Sequence, residues 1–441
     1  MMKIYSSEAA KNSILKRVPP DDMDVSPRLL DSIKKLFGAA LTPDEAVRQI
    51  LKEIRSEGDE ALRRWSAKLD GLDTLAFRVP SYEIHNAEDK ISKDEAQALK
   101  LSAERIHRFY SRQPLASWSF EEGEGLLGQL VRPIRRVGIY VPGGTAPLPS
   151  SVLMTAVPAQ VAGVKEIVLT VPPQKDTGKI APIILAAANM LGIEEIYTLG
   201  GAQAIGALAF GTQSIEPVDK IFGPGNLFVT LAKRQVYGTV GIDGLAGPTE
   251  TMVIADEGAN PEWVAADLLA QAEHDVLASA ILLTSSKSLA EAVQAAVKVQ
   301  LESLPRAEIL NQSLEANSGI VITQNLDESI QLANTYAPEH LCLSLKEPFD
   351  TVEKTTAAGG IFVGEYSCEV LGDYVAGPSH VMPTSGTARF SSPINLLDFV
   401  HLVSLVALDE KTASQISKPA AVLARAESLE AHARAADLRQ G

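Results

Sequence analysis

Cysteine is nearly absent from this chain: Cys342 and Cys368 are the two thiols in 441 residues. Two are too few for a disulfide framework, so free thiols in a reducing compartment are expected. No Cys-x-x-Cys pair offers a thiolate metal site. Long apolar runs are missing as well. No stretch approaches the roughly 20 residues that span a bilayer. The opening Met1-Met-Lys-Ile-Tyr-Ser-Ser lacks the apolar core and small-residue cleavage site of an export signal. A cytoplasmic protein with no membrane partner is expected. Basic residues are the minority, 40 Lys and Arg against 55 Asp and Glu, for a formal net charge of −15. A field of that sign repels nucleic acid and anionic membranes, and no basic stripe offsets it. The one compact basic group, Arg132, Arg135 and Arg136, precedes a strand and reads as solvated. The dinucleotide fingerprint G-x-G-x-x-G, with an acid about 20 residues on, is also absent, so any nucleotide binds without that device. There is no internal repeat and no low-complexity segment.

What is present is an ordinary globular balance, 46% apolar and 22% charged, in a chain long enough for roughly two to four domains. Residues 1–30 read as an irregular arm punctuated by Pro19-Pro20-Asp-Asp. Thr42-Pro43-Asp-Glu opens a helix over about 43–69, and Ser92 with Glu95 opens another over about 93–112. From residue 137 the texture changes to short apolar strands alternating with helices: strands at 137–141, 166–171 and 195–199, helices near 149–162, 179–191 and 203–210. Near 247 a second such unit begins, with strands at 250–255, 280–284, 319–323 and 360–364 and helices from 261, 287, 326 and 349. That alternation predicts βαβ units and parallel sheets, an α/β fold. The last 30 residues are alanine-rich and helical, too poor in core to fold alone.

The scarce histidines are placed unevenly. Five of the seven lie after residue 270, several beside carboxylates: Gln271-Ala-Glu-His274, Glu339-His340 and Glu430-Ala-His432, with Gly372-Asp373-Tyr374 adding an acid in a glycine-flanked turn. Asn260, Pro261 and Glu262 start a helix over about 261–277, on which Gln271 and His274 share a face, with Asp267 beside them. Taken singly, a polar helix face, a turn aspartate and a solvated histidine explain these residues. Taken together, Gln271, His274, Asp373 and His432 make one amide oxygen, two imidazoles and a carboxylate, a set that zinc accepts. Glu339 and His340 are either a buried ion pair or an acid–base pair with ordinary pKa values on either side of weakly acidic pH. Gly223-Pro-Gly-Asn226 is a glycine-rich loop running into a helix, a shape that presents backbone N–H groups to anions.

These segments, in order, resemble histidinol dehydrogenases. The matching runs are Gly138-Ile-Tyr-Val-Pro-Gly-Gly144, Gly200-Gly-Ala-Gln203, Gly223-Pro-Gly-Asn226, Ala246-Gly-Pro-Thr-Glu250, Ala270-Gln-Ala-Glu-His-Asp275, Ala337-Pro-Glu-His-Leu341, Gly372-Asp-Tyr-Val-Ala-Gly-Pro-Ser-His380 and Glu427-Ser-Leu-Glu-Ala-His432. The resemblance implies oxidation of L-histidinol to L-histidine through L-histidinaldehyde, the last steps of histidine biosynthesis, using two NAD, water and a zinc ion. It implies zinc ligands Gln271, His274, Asp373 and His432, all four also touching substrate with Thr249, His340 and Glu427. It implies His340 as the base for hydride loss, Glu339 as the residue that activates water, and Tyr140, Gln203 and Asn226 as NAD contacts. Many members of that family have serine where this chain has Thr249, which keeps the hydroxyl and adds a methyl.

The implied architecture is two incomplete Rossmann-like parallel-sheet domains with a small N-terminal arm and a helical C-terminal tail, in a homodimer with shared active sites. On this chain that gives an arm at 1–30, a first domain at 31–136 and 247–395 with the zinc and catalytic residues, an NAD-binding domain at 137–246, and a tail at 396–441 that reaches the partner subunit. Glu427 and His432 are five residues apart, about 140° on a straight helix, so a break near Ser428 is expected. One rival is a paralogous zinc/NAD dehydrogenase of another small polar alcohol, such as a sulfonated propanediol, whose pocket would call for Arg or Lys where Glu427 stands. Another is a non-enzymatic zinc-binding α/β protein, for which Glu339-His340 would be unneeded.

Overall fold

The computed structural model describes residues 2–17, 25–72, 76–121, 125–143 and 146–440. Pro19-Pro20-Asp-Asp, read above as punctuation, and Gly144, the end of one matching run, lie outside the described residues. The chain divides into two compact units, Met1–Arg112 with Arg135–Asn395, and Gln113–Ile134 with Leu396–Gly441.

The first unit contains two parallel sheets. One has six strands in the order Ile4–Ser6, Gly319–Ile322, Ser279–Thr284, Glu250–Ala255, His340–Ser344, Gly360–Val363, and the other has five, Glu195–Thr198, Glu166–Val171, Arg136–Tyr140, Lys220–Phe222, Gly241–Ile242. Every pairing in both is parallel. Strands Glu250–Ala255 and Ser279–Thr284 are buried along their whole length, which is why they read as continuous apolar runs and not as alternation. The expected helix starts are present. Thr42 and Ser92 form reciprocal capping boxes with Glu45 and Glu95, and the Asn260 side chain accepts from the N–H of Glu262 and Trp263.

Four differences have physical causes. The described start of the N-terminal arm is not irregular: Ile4–Ser6 pairs with Gly319–Ile322, and Met2 is buried in the core behind that sheet. Arg136 is not solvated. It is 3% exposed because Glu195 and Glu166 take its guanidinium at 2.6 and 3.1 Å. Helices Pro43–Glu57 and Asp59–Asp70 pack through Val47, Ile50, Ile54, Leu62 and Trp65 onto the five-stranded sheet's helices, in one core with Ala204, Leu208 and Val229, so their apolar faces belong with residues 137–246. The helix from Pro261 stops at Ala272, short of the expected 277. His274 follows in a turn whose N–H still reaches the Gln271 carbonyl at 3.2 Å.

The second unit is a three-stranded antiparallel sheet, Val400–Ala407 beside Leu126–Pro133 beside Trp118–Glu121, with helices Glu410–Ala426 and Glu430–Asp437. The tail is therefore not wholly helical. The break falls where expected: Ser428 has φ +63°, which ends one helix. It does not cap the next, whose N-cap is Leu429 without a side-chain bond.

Candidate active site

The polar cluster sits at the amino edge of the six-stranded sheet, whereas open α/β sheets ordinarily bind ligands at the carboxyl ends. Helix Leu326–Tyr336 ends on Ala337, a non-glycine residue in the left-handed region at φ 52°. Pro338 then forbids further helix, Glu339 follows, and His340 is the first residue of its strand, in register with Thr251 and Gly360 on either side. The neighbouring strand starts at Glu250, so Thr249 arrives at the same edge. Gln271 comes from the end of the helix packed on that strand, and Asp373 from a π-helical turn, Gly372–Ala376, of the kind common at functional sites. Helix Lys93–Tyr110 grips that turn: Ser102 Oγ donates to the Tyr374 carbonyl at 2.5 Å and Arg105 Nε to the Val375 carbonyl at 2.6 Å.

The side chains form one network. Thr249 Oγ1 lies 2.9 Å from Gln271 Oε1 and 2.7 Å from Glu339 Oε2, and its single proton serves one of them at a time. The Glu250 N–H donates to Glu339 Oε2 at 3.1 Å. Gln271 Nε2 donates to Asp373 Oδ2 at 3.1 Å. His340 Nδ1 faces the Glu250 carbonyl and Nε2 faces Asp373 Oδ1, each at 3.2 Å. A carbonyl only accepts, so Nδ1 carries a proton and Nε2 is the nitrogen free to exchange one.

Burial acts differently on each acid and base. It pushes the Glu339 carboxyl up to about 7, against the pull of His340 and its own hydrogen bonds. Burial disfavours the His340 cation, but the carboxylates of Glu339, Asp373 and Glu369 outweigh it and raise the imidazole to about 10. Asp373 is held below the ordinary carboxylate range, because its bonds and charge contacts with His340 overcome burial. Burial lowers His274, which feels the charges of Asp373 and His340. An ionised aspartate, a neutral imidazole and an amide are the states a zinc ligand set needs. Among the described residues no three His, Cys, Asp or Glu side chains converge as a metal group. Glu427 and His432 belong to the second unit, both exposed.

The carboxyl edge of the five-stranded sheet holds the other residues singled out above. Tyr140 ends its strand, buried, and its hydroxyl accepts from the Gly201 N–H at 3.3 Å. Burial raises its phenol to about 12, so it stays a donor. Gln203 is buried and its Oε1 has no partner among the described residues. Asn226, exposed, caps helix Leu227–Val236 through Oδ1, which leaves the Nδ2 end of its amide for other partners. The loop before it needs glycine: Gly223 has φ +106°, and a Cβ there would lie 2.0 Å from the Tyr140 carbonyl oxygen. Lys233, 2% exposed, pins the loop by donating to the Gly223 carbonyl at 3.0 Å. An orphan acceptor, a phenolic donor and a glycine cradle at one sheet edge suit a nucleotide.

Sequence reasoning missed three contributors. Glu369 is fully buried, accepts from Thr251 Oγ1 at 2.9 Å, and is pushed to about 8 by burial. Arg17, from the N-terminal arm, pairs with Glu250 and lies over the Tyr336 ring. His380 holds the Asp373 carbonyl through Nδ1 at 2.8 Å. A lone acid at a strand start, as at Glu250, was the one available signal. Cys342 is buried with its thiol raised well above the ordinary value by burial, so no thiolate nucleophile is present there.

The family model described as histidinol dehydrogenase matches residues 39–440. The histidinol dehydrogenase of Deinococcus radiodurans is 50% identical over 435 residues, 98% of each chain. That of Thermus thermophilus is 52% identical over 399 residues, covering 90% of this chain and 95% of that one. The crystal structure of histidinol dehydrogenase from Elizabethkingia anophelis superposes with a TM-score of 0.90 at 38% identity, covering 99% of this chain and 98% of that one.

Proposed function

The chain belongs to the histidinol dehydrogenase family and is an oxidoreductase of histidine biosynthesis; from that premise we propose that it oxidises L-histidinol to L-histidine in two NAD-dependent steps through the aldehyde. The observation that carries the reading is the Glu339-His340 pair at the amino sheet edge, bonded into one network with Thr249, Gln271 and Asp373.

Gln271, His274, Asp373 and the partner subunit's His432 would hold zinc. When bound, zinc supplies a fixed positive charge that orients the substrate's amine and ring, and NAD supplies the hydride acceptor. His340 takes the alcohol proton on Nε2, with Nδ1–H fixed on the Glu250 carbonyl. Glu339, a carboxyl lifted by burial, accepts a proton from the water that adds to the aldehyde. His340 returns its proton to the carbonyl oxygen as that water adds, and so is free to take the proton of the hydrated aldehyde as the second hydride leaves. Thr249 holds Glu339 and Gln271 in place from one hydroxyl, and Glu427 contacts the substrate imidazole. Tyr140, Gln203 and Asn226 contact NAD.

The family resemblance supports a homodimer, with Glu427 and His432 of each tail serving the other subunit's site. The second unit also leaves Trp118, Val406 and Leu423 at 54%, 66% and 66% exposed, more apolar surface than scattered single residues explain. A cytoplasmic setting agrees with free thiols and with the lack, among the described residues, of any helix long and apolar enough to cross a membrane. The test is histidinol-dependent NADH absorbance with purified protein, zinc and NAD. Two NADH per histidinol, with histidine as product, is the expected result. No turnover of histidinol, with turnover of another small polar alcohol, would overturn it.

A further inference from the structure

Asp70 is the last residue of helix Asp59–Asp70, far in sequence from the residues singled out for NAD. Its Oδ2 accepts from Gln203 Nε2 at 2.8 Å, and its carboxylate also takes the backbone N–H of Gly200. Both neighbours are shaped around it. A Cβ on Gly200 would meet Asp70 Oδ1 at 3.1 Å and Pro172 at 2.7 Å, and one on Gly201, which has φ +60°, would meet Gln203 Oε1 at 2.6 Å. The Gly201 N–H is held by the Tyr140 hydroxyl. Asp70, Gly200, Gly201, Gln203 and Tyr140 are thus one packed group at the start of helix Gly201–Phe210.

The amide of Gln203 has two chemically different ends, and only its surroundings decide which way they point. Burial raises the Asp70 carboxyl, opposed by the Gly200 N–H and the Gln203 amide; as a carboxylate it accepts and never donates, so the NH₂ faces Asp70 and the oxygen faces away. That oxygen is buried and has no partner among the described residues. An acceptor held in this way matches a donor, either a ribose hydroxyl or the carboxamide N–H of a dinucleotide, and repels a phosphate oxygen. We propose that Asp70 is a positioning residue for NAD: it fixes the Gln203 amide with Oε1 turned toward the cofactor and closes the Gly200-Gly201 turn beneath it. This rests on the reading of Gln203 as an NAD contact.

The test is NAD binding at equilibrium, by calorimetry on the zinc-loaded protein without histidinol, in four forms: unaltered, Asp70→Asn, Gln203→Ala and the double variant. Asparagine has nearly the shape of aspartate but can donate to Gln203 Oε1, which lets the amide turn over. Asp70→Asn is expected to weaken NAD binding about tenfold or more, the size of a lost polar partner in a built site. The loss should appear in the KM for NAD, with kcat falling less than about threefold. In the Gln203→Ala background Asp70→Asn should add little, because a residue that acts through another has nothing left to act on. Asp70→Ser, which removes the charge and leaves room, serves if Asp70→Asn misfolds. Additive losses in the double variant, or unaltered NAD affinity in Asp70→Asn, would overturn the proposal. Unaltered affinity in Gln203→Ala would instead overturn the reading of Gln203 beneath it.

Discussion

Glu339 and His340 are adjacent in sequence but differ in their surroundings, so their loss should be felt in different steps. If His340 is the base in both oxidations, His340→Asn slows alcohol and aldehyde oxidation alike by roughly 10²–10⁴, the usual range for a lost general base. Glu339→Gln should slow the aldehyde step more, since only that step needs activated water. Single-turnover assays started from histidinol and from histidinal separate the two, and equal losses for Glu339→Gln would refute the division. The acidity of Glu339 adds a pH signature. It works as a base only when ionised, and its carboxyl lies at about 7, so aldehyde oxidation should rise with pH through about 7 and level off above. That inflection should vanish in Glu339→Gln. Metal removal tests the neighbouring residues. With no cation, the Asp373 and Glu339 carboxylates keep His340 protonated, and nothing orients the substrate. A strong chelator should abolish turnover, Zn²⁺ should restore it, and His274→Asn should behave like the chelated protein. Full activity in a sample shown to be metal-free would sink the zinc assignment.

Among elements, legibility followed burial. Strands such as Ser279–Thr284, buried on both faces, stand out as apolar runs. Val400–Ala407, mostly exposed, looked like part of a helical tail. His340–Ser344 is hidden because the polar pair Glu339-His340 directly follows Pro338, which resembles a helix end. Thr249, Gln271, Glu339, His340 and Asp373, which the fold joins in one network, are legible as ordered motifs. Arg17, Asp70 and Glu369 were not, because single charges carry no signal until sheet register and helix packing bring them to partners. The tail's turn at Ser428 offers a test at this scale. A non-glycine residue at φ +63° carries a strain of about 1 kcal/mol. Ser428→Gly should relieve it and raise the thermal midpoint slightly with activity retained. Ser428→Val, β-branched in the left-handed region, should lower the midpoint and zinc content together. Unaltered zinc content in a well-folded Ser428→Val protein would show that the turn does not aim His432.

At the scale of the molecule, two compact units are built from interleaved stretches of one chain. If each tail serves the other subunit, mixing subunits that carry His432→Ala with subunits that carry His340→Asn should restore activity, one intact site per heterodimer. Absence of recovery in verified heterodimers would mean that each tail serves its own subunit, and a chain cut after about residue 420 should lose zinc in either case. The six-stranded sheet has a further consequence, in the order of synthesis. Its edge strand Ile4–Ser6 is made long before its partner Gly319–Ile322, with Ile4 facing Ile320. Until then the edge strand has no ladder to join, and the contact it finally makes is strongly non-local, which slows folding. Conversely, the Gly319–Ile322 backbone is a bare sheet edge until Ile4–Ser6 returns to cover it, a template for pairing with other chains. The few residues ahead of the first helix thus act as a built-in guard against aggregation late in folding.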